Sequence, residues 1–368
     1  SGKLFKNYSW RKKYIDSYFG VKIYRVPLFL RRDSKGWQLA LNYLSFMVMA
    51  SLFGPVLLRK RKYDIVISVN YSPATVGVPG LLMSKIKKTP MIFWVHDLWP
   101  QSLMATGAIS SPFILNMVAK MMSWIYKKSE LIFVQSEAFI DAIKEFDIAS
   151  NKIKYIPNWA EDLYGPILKI DNQSQIERLP DDGFIVMFAG NLGKAQSLNT
   201  IIDAASMASE FKIYWIFIGD GREGQWLAEQ IKQRDLSNIV YLLGSKPMES
   251  MPQYFSQADA LLVSLVPDSL LSKTIPGKLQ SYLACGRPLL GSLDGEGARV
   301  IIESKSGFVS PAGNAKKLSE IAINMSKLDK GLLKTMSQNS LQYYKSKFDS
   351  NMVLDNIEQE MCSLIAKK

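Results

Sequence analysis

Residues 274–288, TIPGKLQSYLACGRP, combine residue types that suit the binding of an anion. Thr274 can cap a helix, and Pro276 with Gly277 suits its first turn, where backbone N–H groups and the helix dipole attract phosphate. Lys278 adds a full positive charge beside those amides, and a later glycine ends the helix. The alternative interpretation is a core helix with an ordinary glycine stop, because helix ends of this kind are common.

Two earlier segments also place a glycine-bearing loop between an apolar run and a helix. The apolar runs are residues 184–189 and 215–218, and helices are predicted from residue 197 and from about residue 225. Apolar strands that alternate with amphipathic helices predict a parallel sheet covered on both faces. Ligands in such sheets bind where strands end and helices begin, so the three loops predict one anion site. The two earlier loops contribute these candidates: Gly190, Asn191, Lys194, Gly219 and Asp220.

His96 and Asp97 follow the apolar run 91–95 directly. The carboxyl end of a buried strand is where a ligand cleft is expected, so both residues are candidates for catalysis. A lone histidine is also common as a structural residue, and Asp97 can equally bond a neighbouring loop. Both interpretations stay open for each residue.

The composition limits the class of protein and the chemistry that it can carry. A chain of 368 residues with 48% hydrophobic and 21% charged residues is long enough for two folded domains. Its two cysteines predict no disulfide framework and suit a reducing cytoplasm. A single histidine and the absence of a Cys or His cluster argue against a zinc site, and no secretory signal is visible.

The net charge of +12 is concentrated in the first part of the chain. Residues 37–58 are rich in large apolar side chains, and the basic run 59–62 follows at once. This combination predicts attachment to an anionic membrane surface. Polar residues, Gly54 and Pro55 interrupt the stretch, so it does not resemble a secure transmembrane span. The alternative is a buried, Met-rich core helix, while a nucleic-acid role lacks any recognised reading motif.

Strand and helix patterns divide the chain into two predicted domains. The first domain covers residues 1–156, a polar linker covers 157–182, the second domain covers 183–330, and a terminal helix occupies 331–368. Within the first domain, strands are predicted at 65–69, 91–95, 131–134 and 154–156, and a helix at 113–127.

The ordered set of motifs resembles family 4 glycosyltransferases. The segments that carry the resemblance are Gly190-Asn191-Leu192, Gly219-Asp220-Gly221, Pro276-Gly277-Lys278, Ala284-Cys285-Gly286-Arg287-Pro288 and Ser306-Gly307-Phe308-Val309. The resemblance implies an α/β protein of the GT-B fold, in which two Rossmann-like domains face each other across a cleft through their parallel sheets. It also implies that the terminal helix crosses back to the first domain. Asp97-Leu98-Trp99-Pro100 is similar to a segment of the bacterial O-antigen and capsule branch.

Three departures from the family pattern affect the expected site. Gln196-Ser197 stands where the family usually has a Lys-Gly pair, so Lys194 is expected to replace that charge. Lys273 and Ser281 stand where two glutamates are usual, which leaves Gln280 or Ser281 to bond the ribose. The opening strand–loop–helix unit of the family does not precede residue 1, which predicts either a chain truncated at its start or a departure from the family.

The resemblance implies a retaining, metal-independent glycosyltransferase without a cofactor. The expected donor is a nucleotide-diphosphate hexose or acetamido-sugar, with UDP as the expected nucleotide, and the expected acceptor is a lipid-linked saccharide. Glu296 is a further candidate for contact with sugar hydroxyls. The expected location is peripheral, on the cytoplasmic face of a bacterial membrane, in the synthesis of lipopolysaccharide or capsule. The alternatives are a sugar-nucleotide epimerase of the same architecture and a non-catalytic module that binds a nucleotide or lipid.

Overall fold

A computed structural model of the chain describes residues 15–31, 36–105, 109–167, 177 and 179–367. The chain forms two compact units, of which the first comprises residues 1–156 and 357–368 and the second comprises residues 157–356. Each unit contains a parallel sheet with helices between successive strands. The predicted α/β class and the two parallel sheets are therefore observed.

The first unit contains a four-stranded parallel sheet with the order β3-β4-β5-β6 and a separate antiparallel pair, β1-β2. The strands are β1 (Ile15–Tyr18), β2 (Val21–Tyr24), β3 (Val66–Asn70), β4 (Met91–Val95), β5 (Leu131–Val134) and β6 (Ile153–Tyr155). The helices are α1 (Gly36–Leu57), α2 (Gly77–Lys87), α3 (Gln101–Ala105), α4 (Pro112–Lys128) and α5 (Glu137–Lys144). Strands β4 and β5 are buried almost throughout, as their uninterrupted apolar sequences require.

The second unit contains a six-stranded parallel sheet with the order β12-β11-β10-β7-β8-β9. Its strands are β7 (Phe184–Ala189), β8 (Ile213–Ile218), β9 (Val240–Leu242), β10 (Ala260–Ser264), β11 (Leu289–Ser292) and β12 (Gly307–Ser310). Its helices are α6 (Leu198–Met207), α7 (Gly224–Gln233), α8 (Met251–Gln257), α9 (Gly277–Ala284), α10 (Gly295–Glu303), α11 (Ala315–Ser326) and α12 (Lys330–Lys347). Two separate apolar clusters cover the faces of the sheet. The strand order reverses between β7 and β10, which is where doubly wound sheets bind ligands.

The end of the chain forms two helices where one was predicted. Helix α12 ends before Phe348, and α13 (Ser350–Ala366) begins after Asp349. Phe348 is buried, and the Asp349 carboxylate accepts hydrogen bonds from the N–H groups of Asn351 and Met352. A buried aromatic anchor and a new N-terminal cap therefore separate the helices. From Ile357 onwards α13 belongs to the first unit, where Glu360 pairs with Lys154 at 2.8 Å.

Helix α1 is not the buried core helix that one interpretation of the sequence predicts. It is continuous from Gly36 to Leu57 and contains Pro55. Only Gln38 is buried among the residues of this helix, so the interpretation as a buried core helix is wrong. The expected interruptions do not break the helix either. Asn42 and Ser45 instead bond the backbone of Phe29, which runs beside it.

Candidate functional site

A cavity of about 550 Å³ opens in the second unit at the carboxyl ends of β7 and β8. This volume lies in the range of small-molecule sites in proteins. Of the ten residues predicted to bind the donor, seven line the cavity: Gly190, Asn191, Gly219, Asp220, Gly277, Lys278 and Ser281. The structure therefore brings together the three loops that lie far apart in the sequence.

The loops after β7 and β8 approach each other so closely that side chains are excluded. Gly190 and Gly219 have φ angles of 137° and 140°, which L-residues rarely adopt. A Cβ atom on Gly219 would lie 1.9 Å from the carbonyl oxygen of Gly190. The Leu192 N–H donates to the carbonyl oxygen of Asp220 at 2.8 Å, which joins the two loops through their backbones. Because these glycines have no side chains, a ligand can come into direct contact with the backbone of both loops.

Lys278 is a partly buried cationic group that lines the cavity. Its Nζ lies 3.8 Å from the centre of the Phe188 ring and donates to Oε1 of Gln196 at 2.5 Å. Nζ is also close to Gly190, since a Cβ atom placed on that glycine would lie 3.4 Å from it. Burial lowers the pKa of Lys278 to about 7, since the charged ammonium loses most of its hydration. A bound anion would reverse this shift by pairing with the ammonium.

The N-terminus of α9 points the first amides of the helix into the same cavity. Pro276 occupies the N-cap position and Gly277 is the first helical residue, so Thr274 does not cap the helix as predicted. The Thr274 hydroxyl instead donates to the carbonyl oxygen of Leu271, which closes the preceding turn. Nothing lies within 4 Å of the position that a Cβ atom on Gly277 would occupy. The first N–H groups of a helix have no intrahelical acceptor, so this open space suits an anion.

Tyr282 fixes α9 against the end of β7. Its hydroxyl accepts from the N–H of Ala189 at 2.9 Å and donates to the carbonyl oxygen of the same residue at 3.2 Å. The ring is buried, and its contact with Phe255 is edge-on. This link holds Lys278 at a constant position relative to Gly190.

Several residues of the cavity were missed by the sequence analysis. Gln196, which holds Lys278, stands at the departure from the family's Lys-Gly pair, and the structure brings Lys278 rather than Lys194 to it. The cavity is also lined by residues from the chain before β7, from the segment between β9 and α8, and from the first turn of α8: Trp159, Glu161, Tyr164, Ser245, Lys246, Met248 and Met251. Lys246 pairs with Glu177 at 2.7 Å. No spacing rule signals these residues, because irregular segments carry them.

Three predicted donor residues do not line the cavity. Lys194 is exposed, and Pro276 acts as the N-cap of α9. Glu296 is buried on α10, where Arg299 pairs with it at 2.8 Å. Arg299 also binds Glu303, one helical turn further along α10, at 2.9 Å.

Gln280 and Ser281 were alternatives for contact with the ribose. Gln280 is buried, and its amide nitrogen lies 2.9 Å and 3.0 Å from the carbonyl oxygens of Pro276 and Gly277 when the amide is oriented to bond them. Its side chain therefore closes the first turn of α9. Ser281 lines the cavity, so it is the one of the two that is available to a ligand.

His96 and Asp97 belong to the first unit and lie at the end of β4, as predicted. The His96 ring stacks on Tyr71 at 4.1 Å and lies 5.1 Å from Trp94. Neither ring nitrogen has a hydrogen-bond partner within the described part of the chain, and burial lowers the pKa of His96 to about 4. Oδ2 of Asp97 accepts from the indole N–H of Trp99 at 3.0 Å. His96 is therefore a neutral imidazole at physiological pH, and both of its ring nitrogens are buried.

The described residues contain no group of three or more His, Cys, Asp or Glu side chains that could hold a metal ion. The positive groups of the cavity are instead Lys278, Lys246 and the amides at the start of α9. Such groups attract phosphates, so the cavity suits a phosphorylated ligand.

Comparisons with known proteins identify the class. Residues 169–343 match the family described as glycosyl transferases group 1, and residues 16–159 match the glycosyl transferase 4-like domain. The chain is 24% identical over 301 residues to WbjE of Pseudomonas aeruginosa, named a probable glycosyltransferase, which covers 79% of this chain and 73% of that protein. It is 25% identical over 296 residues to WcaI of Escherichia coli (strain K12), whose name describes a colanic acid biosynthesis glycosyl transferase, covering 76% and 69%.

The structural comparison agrees with the sequence matches. The Anabaena protein HepE in complex with UDP and glucose has a TM-score of 0.67 and 18% identity, covering 87% of this chain and 83% of that one. At this identity the likeness shows the fold alone, which is the predicted GT-B fold. The chain therefore combines a glycosyl transferases group 1 domain at residues 169–343 with a glycosyl transferase 4-like domain at residues 16–159.

Proposed function

We propose that this glycosyltransferase moves a hexose or acetamidohexose from a UDP-sugar to a lipid-linked saccharide, with retention of configuration and without a metal ion. The observation that carries the donor half is the position of Lys278, which lies beside the glycine loops and the first turn of α9. The solved neighbour HepE binds UDP and glucose, which supports a UDP-linked donor. The name of WcaI, which describes a colanic acid biosynthesis glycosyl transferase, supports a role in bacterial polysaccharide synthesis.

The departing group of a nucleotide sugar is a diphosphate, and its negative charge grows as the bond to the sugar breaks. Lys278 and the amides at the start of α9 are positioned to stabilise that charge. The acceptor hydroxyl attacks the face that the diphosphate leaves, and its proton passes to the departing phosphate oxygen. No protein nucleophile is needed for this step. His96, as a neutral base, and Asp97 are the proposed contacts to the transferred sugar and acceptor.

The acceptor half of the proposal rests on the first unit. An apolar helix followed by the basic run 59–62 suits the cytoplasmic surface of a bacterial membrane, where lipid-linked saccharides are held. We therefore propose a peripheral location on that surface.

The experiment that tests the donor site is isothermal titration of the protein with UDP, GDP and their sugars, together with Lys278→Ala. We expect UDP to bind and Lys278→Ala to weaken that binding, while Lys316→Ala on an exposed turn of α11 leaves it unchanged. Equal binding by the two variants would refute the assignment of Lys278 to the diphosphate.

Turnover separates glycosyl transfer from the alternatives. We expect release of UDP from a UDP-sugar to require an added membrane extract that contains lipid-linked saccharides. Conversion of the sugar nucleotide without an acceptor would indicate an epimerase, and nucleotide binding without any turnover would indicate a non-catalytic module.

A further inference from the structure

Helix α1 exposes one continuous apolar face. Six of its seven exposed large residues recur every three or four positions, which places those six on one side of the helix, while Phe53 lies outside this row. The six residues, called here the apolar stripe, are Trp37, Leu41, Leu44, Val48, Leu52 and Val56. The helix is 22 residues long, and its most apolar 18-residue window has a mean hydropathy of 1.6 with none of it buried. By length and composition it is the one helix in the described part of the chain that could cross a membrane.

The remaining sides of α1 are fastened to the protein. The helix packs along α2, whose own Pro79, Gly80 and Met83 are buried. The Ser45 hydroxyl accepts from the N–H of Phe29 at 2.8 Å. The apolar stripe therefore faces away from α2 and Phe29. Helix α1 cannot separate from these neighbours without breaking the contacts described.

The segment that follows α1 bonds the strand β2, which precedes the helix in the chain. Tyr24 precedes the helix and Arg61 follows it, yet the Arg61 Nε donates to the Tyr24 hydroxyl at 3.0 Å. A helix of 22 residues is about 33 Å long, close to the ~30 Å hydrocarbon thickness of a bilayer. The Phe29 backbone bonds Asn42 and Ser45 near the middle of α1, and α2 packs along the helix, so α1 does not stand apart from the protein as a single spanning helix would.

Basic residues gather where α1 ends. We call Arg59, Lys60, Arg61, Lys62, Lys85, Lys87 and Lys88 the basic cluster. The Lys87 ammonium donates to the carbonyl oxygens of Leu58 and Arg61 at 2.7 and 2.8 Å, which holds the end of α2 against the basic run. Cations beside an apolar stripe match the anionic headgroups and acyl chains of a lipid surface.

We infer that α1 is a monotopic anchor: it lies in the plane of an anionic lipid bilayer, with its apolar stripe among the acyl chains and the basic cluster on the headgroups. The inference rests on the membrane location of the proposed function, and it adds the depth and orientation of one helix. It does not depend on the donor nucleotide.

Flotation with lipid vesicles tests the anchor. We expect the protein to float with vesicles of phosphatidylcholine and phosphatidylglycerol. Leu44→Ser/Val48→Ser/Leu52→Ser should reduce partitioning by more than about 100-fold. Arg59→Gln/Lys60→Gln should reduce it by about 25-fold on anionic vesicles only.

Matched controls on the second unit remove comparable groups elsewhere. Met207→Ser/Ile302→Ser/Leu332→Ser removes exposed apolar side chains, and Lys316→Gln/Lys334→Gln removes exposed charges. Both controls should float like the unaltered protein. Circular dichroism and UDP titration of each variant check that the fold and the donor site persist.

The depth of α1 separates a helix in the membrane plane from a spanning one. Environment-sensitive probes are attached to Leu41→Cys, Val48→Cys or Val56→Cys in a Cys362→Ser background, where Cys285 remains buried. We expect all three probes to be quenched best by lipids labelled at a shallow acyl carbon, because an interfacial helix lies only ~5–10 Å deep. Quenching of Val48→Cys alone by deep-labelled lipids would show a spanning helix and overturn the inference.

The outcomes separate the two proposals. Absence of vesicle binding by the unaltered protein would refute both the membrane location and the anchor. Vesicle binding that survives the stripe substitutions would refute the anchor alone. Light scattering in solution provides the remaining outcome, because a stripe-dependent dimer without vesicle binding would assign this face to a second copy of the chain.

Discussion

Lys278 in the second unit and His96 in the first are both nitrogen bases whose pKa is lowered by burial, but their surroundings differ. Lys278 lies beside the backbone loops and the start of a helix, where an anion can pair with it. His96 lies between Tyr71 and Trp94, and aromatic rings offer its nitrogens no charged partner. The pKa of Lys278, about 7, is close to physiological pH, whereas that of His96, about 4, is not.

The comparison shows that burial alone does not make the protonation of an ionisable group depend on ligand binding at physiological pH. If a diphosphate binds as proposed, we expect Lys278 to gain a proton, because the anion would supply the negative charge that the surrounding residues do not. His96 remains neutral through the physiological range and can serve as a hydrogen-bonding group of constant charge. The charge of Lys278 is thus expected to depend on whether an anion is bound, whereas the charge of His96 is not.

The largest effect is expected from Gly219→Ala, which would disrupt the close contact between the loops after β7 and β8 next to Lys278. The substitution adds a Cβ atom 1.9 Å from the Gly190 carbonyl oxygen at a φ of 140°. We expect a loss of about 3 kcal/mol or more in the free energy of unfolding, measured by urea denaturation. Gly244→Ala is the matched control, because its φ is 68° but nothing lies within 4 Å of its added Cβ. A similar loss for both variants would show that backbone conformation, rather than loop contact, governs this position.

Lys278→Met removes the ammonium while keeping an unbranched side chain. We expect UDP affinity to fall roughly 10- to 100-fold, the range for losing a hydrogen bond from a charged group. The same variant without nucleotide should be more stable by about 1–4 kcal/mol, as found when buried charges are replaced by apolar groups. Because the folded-state pKa lies below the unfolded value of 10.5, this gain should be full below pH 7 and disappear as the pH approaches 10.5.

Calorimetry and denaturation of Lys278→Met and Lys316→Met provide the check on this prediction. A variant that binds UDP normally, or that is less stable than the unaltered protein at pH 6, would contradict the description of Lys278 as a partly buried cation held by the neutral amide of Gln196.

Nucleotide binding should take up a proton at Lys278. With a pKa near 7 before binding and a raised pKa afterwards, about 0.9 proton is taken up at pH 8 and about 0.1 at pH 6. UDP affinity should fall about tenfold between pH 7.5 and 8.5, since only the charged form is competent to bind. Titration calorimetry in buffers of different ionisation enthalpy measures the uptake, and Lys278→Met should abolish it.

The smallest response is expected from His96, which serves as the contrast. It is the only histidine of the chain, so its ring resonances are assigned without ambiguity. We expect its NMR shifts to titrate near pH 4 and to stay constant between pH 6 and 9. Because its folded-state pKa is lowered, its contribution to stability is present above pH 6.5 and is lost as the pH falls towards 4. A midpoint near 6.5 would show that the ring is solvated.

Much of the fold was predictable because apolar runs mark buried parallel strands. The predicted strands 91–95, 131–134 and 184–189 have the observed limits, and β8 begins two residues before its predicted start. Seven of ten predicted donor residues line one cavity, because glycine loops at strand ends meet on one edge of a parallel sheet. Thr274 was misassigned as a cap because hydroxyl residues also close tight turns.

The sequence by itself determined the alternation of strands and helices, the three glycine loops and the basic run after α1, since each depends on residues close together in the chain. Only the tertiary structure decided that Gln196 accepts from Lys278 across 82 residues, and that burial lowers the pKa of that lysine. It also decided that α1 is exposed and that Tyr24 meets Arg61. Desolvation, exposure and long-range contacts depend on which segments become neighbours in space, and residue spacing along the chain does not specify that.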